Sequence, residues 1–208
     1  MKTVFCFGDS NTYGLNPRDK SRFDDATRWT GLLDQKLRPH GFRVAEEGLC
    51  GRTTIFPDRT RPNRCGADVL PFLLESHAPA EYAIVMLGTN DCKTCFHATA
   101  AQIAGGMRRL VQQIKAAGIS RILLISPIHL AHGVGEVGFD PEFNEASVAL
   151  SRELKGAYAK AAAEEGCLFL AASDVSLPSK SDREHMDETG HKALAEAVFQ
   201  VLLRDFSE

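Results

Sequence analysis

Five residues spread along the chain have the side chains and backbone groups that nucleophilic acyl transfer requires. Ser10 follows the first apolar segment, and Asp182 and His185 lie near the C-terminus, three residues apart. A serine needs a base to attack a carbonyl carbon, and a histidine oriented by a carboxylate can supply it. The short spacing lets Asp182 reach the second ring nitrogen of His185 across a single turn. Gly51 and Asn90 offer a backbone N–H and a side-chain amide that can stabilise an oxyanion.

Short apolar segments alternate with amphipathic segments along the whole chain, which indicates alternating strands and helices. The predicted strands are 3–7, 42–45, 82–87, 121–125 and 167–171. The predicted helices are about 29–38, 66–77, 99–117, 143–165 and 189–205. The apolar strands suit a parallel sheet that is covered on both faces. We therefore predict an α/β fold, a three-layer α/β/α domain over residues 1–208 with a central five-stranded parallel sheet.

The carboxyl ends of parallel strands meet at one edge of such a sheet, and ligands bind beyond that edge. The residues that follow the strands include Ser10, Gly51 and Asn90, and they should meet there. The segment 127–143 contains three glycines and is predicted to be a long loop that shapes an acyl or alcohol pocket. His129 and His132 lie in this loop and are expected to be solvated.

Four ordered blocks of sequence resemble those of the SGNH (GDSL-like) hydrolases. They are Gly8-Asp9-Ser10, Gly51, Gly88-Thr89-Asn90-Asp91 and Asp182-x-x-His185. Two further segments, 25–31 and 46–54, resemble the bacterial arylesterase/acyltransferase branch of that superfamily. The resemblance runs from residue 3 to about residue 200, with the blocks in the expected order. It implies a flavodoxin-like arrangement of the sheet.

The resemblance also implies a role for each matching residue. Ser10 would be the nucleophile, and its own N–H would join the Gly51 N–H and the Asn90 side chain in an oxyanion hole. His185 would act first as general base and then as general acid, with Asp182 as its orienting partner. Asn11 stands where leucine or isoleucine is commoner in the family, and we expect it to alter the mouth of the site more than its chemistry.

By this resemblance the protein would hydrolyse short-chain carboxylic esters, such as aryl or alkyl acetates, through an acyl-enzyme, with transfer to alcohols as a second outcome. We expect no metal or cofactor, and we expect the protein to form homo-oligomers. A carbohydrate O-acetylesterase, a thioesterase or a lysophospholipase would use the same chemistry. A remote alternative is a flavodoxin-like phosphate- or flavin-binding protein. Against it, the loop after the first strand, residues 8–14, lacks a Gly-x-Gly-x-x-Gly fingerprint, and Asp9 would repel a phosphate.

Several residues near the predicted site have a plainer interpretation. Asp9 is expected to orient the turn through side-chain-to-backbone hydrogen bonds. His191 is a rival to His185, but we expect it to be a packed or hydrogen-bonded histidine at a helix start, with Thr189 as the N-cap. Trp29 is expected first in the core or an interface, and second in the lining of a pocket.

The six cysteines, at 6, 50, 65, 92, 95 and 167, are scattered in a way that suits a reducing compartment. Only Cys92 and Cys95 have a spacing used by zinc or redox sites, and the chain has no second ligand pair at similar spacing. Cys50 and Cys92 lie close in sequence to Gly51 and Asn90. Modification of either thiol would therefore block activity without either being catalytic.

Composition excludes several classes of protein. The 208 residues are 44% hydrophobic and 25% charged, which is ordinary for a folded domain. The net charge is −3 and no basic stripe is present, so a nucleic-acid partner is not expected. No apolar stretch approaches the ~20 residues of a membrane-spanning helix. We expect a cytoplasmic protein, because the N-terminal residues do not resemble a signal peptide.

Overall fold

Strands and helices alternate in the computed structural model, which describes residues 1–206. The strands are β1 (Lys2–Gly8), β2 (Phe42–Gly48), β3 (Tyr82–Met86), β4 (Arg121–Ser126) and β5 (Leu168–Ala171). The helices are α1 (Ser10–Tyr13), α2 (Trp29–Leu37), α3 (Gly66–His77), α4 (Ala100–Ala116), α5 (Glu145–Glu165) and α6 (Glu188–Asp205). Short 3-10 turns lie at Arg38–His40, Asn90–Cys92, Thr94–Phe96 and Ala172–Asp174. The last two residues of the predicted domain lie outside the described residues.

The five strands form one parallel sheet in the order β2-β1-β3-β4-β5. This arrangement confirms the predicted fold. Gly8 at the end of β1 pairs with Gly48 of β2 and with Met86 of β3. Because these three ends are in register, the segments that follow them begin at the same edge of the sheet.

The three central strands, β1, β3 and β4, are buried on both faces, which explains why they are mostly apolar. Val4 and Cys6 of β1 point to the face covered by α2 and α6. Phe5 and Phe7 point to the opposite face, covered by α3, α4 and α5. The alternation follows from the two-residue period of a strand.

β2 is longer than predicted, because it continues through Glu46 and Glu47 to Gly48. The charged residues ended the apolar pattern, but the backbone pairing with β1 continues past them. The carboxylate of Glu46 forms ion pairs with two guanidinium groups. Arg28 contacts both of its carboxylate oxygens, at 2.8 and 3.0 Å, and Arg22 contacts one at 2.6 Å.

The predicted loop between β4 and α5 is confirmed, since residues 127–144 contain neither helix nor strand. Arg183, from the loop before α6, holds this segment in place. Its guanidinium donates to the Gly133 carbonyl at 2.8 Å and to the Glu136 carboxylate at 2.7 Å. It also lies 3.9 Å from the centroid of the Phe139 ring. The two loops are thereby fixed to each other beside the carboxyl edge of the sheet.

The start of α6 differs from the prediction. Asp187, not Thr189, is the N-cap, and its side chain accepts a hydrogen bond from the Gly190 N–H at 3.0 Å. Aspartate and threonine both make good N-caps, so the sequence alone did not distinguish Asp187 from Thr189.

No helix among residues 1–206 is long and apolar enough to cross a membrane.

Gly48 lets β2 pass close under α1, and this contact yields the first prediction. A Cβ at Gly48 would lie 2.5 Å from the Tyr13 Cα and 2.6 Å from the Thr12 carbonyl carbon, both backbone atoms. We expect Gly48→Ala to destabilise the fold by about 1–3 kcal/mol, as overpacking does, and to reduce activity by displacing α1.

Gly156→Ala is the matched control, because Gly156 is exposed within α5 and a Cβ there meets nothing within 4 Å. This variant should gain about 0.5–1 kcal/mol from helix propensity. Urea unfolding of both variants measures the difference. Equal effects of the two substitutions would contradict the close approach at Gly48.

Candidate active site

Ser10 is placed at the carboxyl end of β1 by a tight turn. Asp9 caps the short helix α1, and its Oδ1 accepts a hydrogen bond from the Asn11 N–H at 3.0 Å. This is the turn-orienting role predicted for Asp9. Ser10 is the first residue of α1, so its N–H has no acceptor within the helix.

His185 and Asp182 lie in the loop before α6, and that loop brings them to Ser10. His185 Nε2 is 2.7 Å from Ser10 Oγ, and His185 Nδ1 is 2.7 Å from Asp182 Oδ2. Asp182 Oδ1 accepts hydrogen bonds from the backbone N–H groups of Glu184 and His185, at 3.1 and 3.0 Å. The carboxylate thus fixes the turn that carries the imidazole. It also fixes the ring tautomer, with the proton on Nδ1 and Nε2 free to accept from Ser10.

Asn11 also joins the turn that carries Ser10 to the loop that carries His185. Its Oδ1 accepts a hydrogen bond from the Met186 N–H at 3.0 Å, and its side chain is buried. The expectation that Asn11 alters the mouth of the site is therefore wrong, since the residue does not line the cavity beside Ser10. It ties the Ser10 turn to the loop that carries His185, a contact that no local sequence pattern reveals.

Gly51 and Asn90 lie beside Ser10, as predicted. Gly51 has a φ of +83°, which a glycine adopts without strain, and it turns the chain after β2. Asn90 Nδ2 donates a hydrogen bond to the Arg52 carbonyl at 3.1 Å. Because a side-chain amide has two N–H groups, one remains for another acceptor. Ser10, Gly51, Asn90 and His185 line one cavity of about 470 Å³.

Arg52 is a buried cation that sequence reasoning missed. One guanidinium nitrogen donates to the Gly8 carbonyl at 2.8 Å and to the Glu47 carbonyl, and the group lies 4.2 Å from the Phe7 ring centroid. Burial lowers the pKa of Arg52 to about 10. Arg52 therefore joins the ends of β1 and β2 while its own carbonyl orients Asn90. An arginine after a turn glycine gives no signal of this in the sequence.

Asp91 fastens the Gly51 turn from the other side. Its carboxylate is fully buried and accepts hydrogen bonds from the Thr54 N–H, at 2.9 Å, and from the Thr54 hydroxyl. Burial raises the pKa of Asp91 to about 6, although both hydrogen bonds oppose the rise. The segments after β2 and β3 are thus held together next to the cavity.

The charges around His185 oppose the effect of its burial. Burial alone would lower the pKa of His185, but the nearby charge of Glu184 and the hydrogen bond and charge of Asp182 raise it above its usual 6.5. Burial would likewise raise the pKa of Asp182, yet the hydrogen bonds from His185 and from Lys20 Nζ at 2.9 Å hold it at about 2. Asp182 is therefore ionised across the neutral range.

Glu184 is a second carboxylate at the imidazole, and sequence reasoning did not single it out. It is 6% exposed, and its Oε1 lies 3.6 Å from His185 Nε2. It occupies one of the two unspecified positions of Asp-x-x-His, where the motif carries no information.

His191 is the packed histidine at a helix start that the sequence predicts. It is fully buried, its Nδ1 accepts a hydrogen bond from the Trp29 N–H at 3.3 Å, and Phe23 packs edge-on against its ring. Burial lowers the pKa of His191 to about 4, so the ring is a weak base. Trp29 is in the core, as first expected, and its Nε1 donates to the Asn11 carbonyl at 3.1 Å.

The other candidates lie outside the reacting centre. His129 is half-buried and His132 is exposed with an ion pair to Glu145, and neither lines the cavity. Cys50 lines the cavity, whereas Cys92 is buried away from it. No group of three or more His, Cys, Asp or Glu side chains within residues 1–206 is arranged to hold a metal ion.

More of the residues that line the cavity are polar or charged than apolar. Its charged residues are Arg18, Lys20, Arg61, Lys93, Asp140, Asp182 and Glu184. Several are paired, for example Lys93 with Glu142 at 2.5 Å and Arg61 with Asp58 at 2.9 Å. Apolar surface comes from Leu15, Pro17, Phe139 and Pro141. Such a wall suits a small polar ligand.

A hydroxyl, an imidazole and a carboxylate hydrogen-bonded in line can transfer a proton from the hydroxyl as it attacks a carbonyl carbon. Such a set at the carboxyl edge of a five-stranded parallel sheet indicates a class, the hydrolases with an α/β fold. The sequence matches the GDSL-like Lipase/Acylhydrolase family over residues 6–193. The chain belongs to that family and is a carboxylic ester hydrolase.

Solved structures of esterases are similar over nearly the whole chain. The native aryl esterase of M. Smegmatis is 34% identical with a TM-score of 0.91, over 98% of this chain and 99% of that one. A carbohydrate acetylesterase from Sinorhizobium meliloti is 33% identical with a TM-score of 0.91, over the same shares. No curated protein sequence matches. The predicted resemblance to SGNH hydrolases of the arylesterase branch is confirmed, and the flavin- or phosphate-binding alternative falls away.

The burial of Asp9 leads to a pH-dependent prediction. Asp9 is 1% exposed, and its Oδ2 has no hydrogen-bond partner among the described residues. Burial raises the pKa of Asp9 to about 7, from 3.8, so folding favours its neutral form. The stability that depends on this proton is fully present below about pH 3.8 and is lost progressively as the pH rises to about 7.

We expect Asp9→Asn, which is neutral at every pH, to become steadily more stable relative to the parent between about pH 4 and pH 7, and level above that. Unfolding by urea at a series of pH values measures the difference, with the value at about pH 4 as its internal reference. A difference that does not change with pH would contradict the burial of an ionisable Asp9.

Proposed function

We propose that the protein hydrolyses short-chain carboxylic esters through an acyl-enzyme on Ser10. The observation that carries this proposal is the continuous hydrogen-bonded line from Ser10 through His185 to Asp182, with 2.7 Å at each step. Ser10 is the nucleophile, His185 the general base and acid, and Asp182 the group that orients the ring.

In acylation, Ser10 Oγ bonds to the ester carbonyl carbon while its proton passes to His185 Nε2. The carbonyl electron pair moves to the oxygen, where the N–H groups of Ser10, Gly51 and the Asn90 side chain stabilise it. When the tetrahedral intermediate collapses, the carbon–oxygen bond to the alcohol breaks. His185 returns its proton to the leaving oxygen, so the products of this half-reaction are the alcohol and acyl-Ser10.

In deacylation, a water takes the place of the alcohol and gives its proton to His185 Nε2 as it attacks. The bond to Ser10 Oγ then breaks, and the proton returns to Ser10. A second alcohol in the same position would accept the acyl group. The reaction as proposed uses side chains and backbone groups alone. Assembly into homo-oligomers and a cytoplasmic location remain predictions.

The cavity supports small acyl groups. Its volume of about 470 Å³ is at the low end for ligand sites, and it must hold both parts of the ester. A long acyl chain in this cavity would lie against charged side chains and displace their water, which is unfavourable. This favours acetate-type esters over lysophospholipids.

Carbohydrate O-acetyl esters are the second candidate substrates. The specific observation in their favour is the polar wall, where Arg61, Lys93 and Asp140 offer partners for sugar hydroxyls beside the Phe139 ring. The similar structure from Sinorhizobium meliloti is described as a carbohydrate acetylesterase.

The proposed roles predict the effect of two substitutions on kcat/KM for an aryl acetate. Ser10→Ala removes the attacking oxygen, and Asp182→Asn disturbs the tautomer of His185, so each should lower kcat/KM by roughly 10⁴-fold. Asp174→Asn is the control, because Asp174 is an exposed residue paired with Lys155. Esterase activity in Ser10→Ala close to that of the parent would overturn the proposal.

A substrate panel measures the limits of the acyl and alcohol groups. We expect kcat/KM for aryl esters to fall as the acyl chain lengthens from acetyl to octanoyl, because longer chains meet the charged wall. Comparable activity on acetylated sugars would establish the second candidate. Higher activity on octanoyl than on acetyl esters would contradict the inferred acyl preference.

A further inference from the structure

Glu184 brings a carboxylate to the side of His185 that faces Ser10, and the proposed mechanism leaves it without a role. We propose that Glu184 is a positioning residue that stabilises the protonated His185 ring while the proton of Ser10 is held on Nε2. This role rests on the proposed function of Ser10 and His185.

The geometry places the imidazole between two carboxylates. Asp182 Oδ2 lies 2.7 Å from Nδ1, and Glu184 Oε1 lies 3.6 Å from Nε2. All three side chains are buried, with His185 4% exposed and Glu184 6% exposed. Charges interact more strongly away from water, so a carboxylate at this distance acts strongly on the ring.

The attraction to Glu184 grows during the reaction. In the resting enzyme the ring is neutral, and Nε2 accepts the hydrogen bond of Ser10. After the proton transfer, the ring is positive and carries N–H groups on both sides, with Glu184 beside the newly protonated nitrogen. An interaction that is stronger in the transition state than in the resting state accelerates the reaction.

Charged groups from several elements face this pair. His185 is faced by Asp182 and Glu184 of its own loop, Asp9 at the end of β1, His191 of α6 and, through Asp182, Lys20. Glu184 is faced by His185, Asp182, Asp140 of the 127–144 segment and Lys93 after β3.

Lys93 and His185 are the groups that favour the ionised form of Glu184. Burial raises the pKa of Glu184, while the positive charges of His185 and Lys93 oppose that rise. The charge of Lys93 is itself shared with Glu142, at 2.5 Å. Glu184 and His185 therefore depend on each other for their charges.

The test is the pH profile of kcat/KM for an aryl acetate, which reports the ionisation of His185 in the free enzyme. The parent profile should have an acid-side midpoint above pH 6.5, since the pKa of His185 is raised. Glu184→Gln removes the charge with little change of shape. We expect its midpoint to move to lower pH, and its plateau to fall about tenfold, a part of the 10²–10⁴-fold that general base catalysis supplies.

Three further variants make the result specific to charge. Glu184→Asp keeps the carboxylate and should restore a midpoint close to that of the parent. Glu184→Met provides a second uncharged side chain of similar length and should behave like Glu184→Gln. Glu164→Gln is the matched control, because Glu164 is a surface residue paired with Arg108. Thermal unfolding of each variant confirms that it is folded.

A midpoint that is the same in the parent and in both uncharged variants would overturn the role of Glu184, even if the plateau falls, because that result indicates a structural effect. Failure of the proposed function gives a different pattern. Ser10→Ala would then retain activity, and the assignment of Glu184 would be overturned together with that of Ser10.

Discussion

The hydrogen bond between Ser10 and His185 is the interaction on which the rest of the site depends, because it joins residues 175 positions apart in the chain. Its length depends on where the β1 end and the loop before α6 come to rest. The parallel sheet sets the position of the end of β1, and the packing of α6 against α2 on the sheet sets the position of the loop before α6. Asn11 then bonds the two directly, through the Met186 N–H at 3.0 Å.

Buried charge is concentrated around this hydrogen bond, and each charged group has a structural consequence. Arg52 joins the ends of β1 and β2 and orients Asn90. Asp91 holds the Gly51 turn, and Asp182 holds the turn that carries His185. Buried charges are costly unless they are paired or hydrogen-bonded, so this network specifies one arrangement of the loops. Hydrogen bonds thus hold the donors and acceptors of the site, and the cavity beside them is available to the substrate.

The fold and five residues of the site could be predicted from the sequence, because apolar periodicity and short motifs are local patterns. Apolar periodicity identified the strands and helices, and the residues after the strands identified Ser10, Gly51, Asn90, Asp182 and His185. The structure brings all five together. Asn11, Arg52 and Glu184 could not be predicted, because their roles come from contacts between distant segments. The extra length of β2 was missed for the same reason, since it depends on pairing with β1.

The most direct test of Ser10 as the nucleophile is the intact mass of the protein after reaction with a fluorophosphonate, which reacts with activated serines. We predict a single adduct that maps to Ser10 in the parent and is absent from Ser10→Ala. No adduct on the folded parent, under conditions that label a control serine hydrolase fully, would contradict the acyl-enzyme mechanism. So would an adduct that persists in Ser10→Ala.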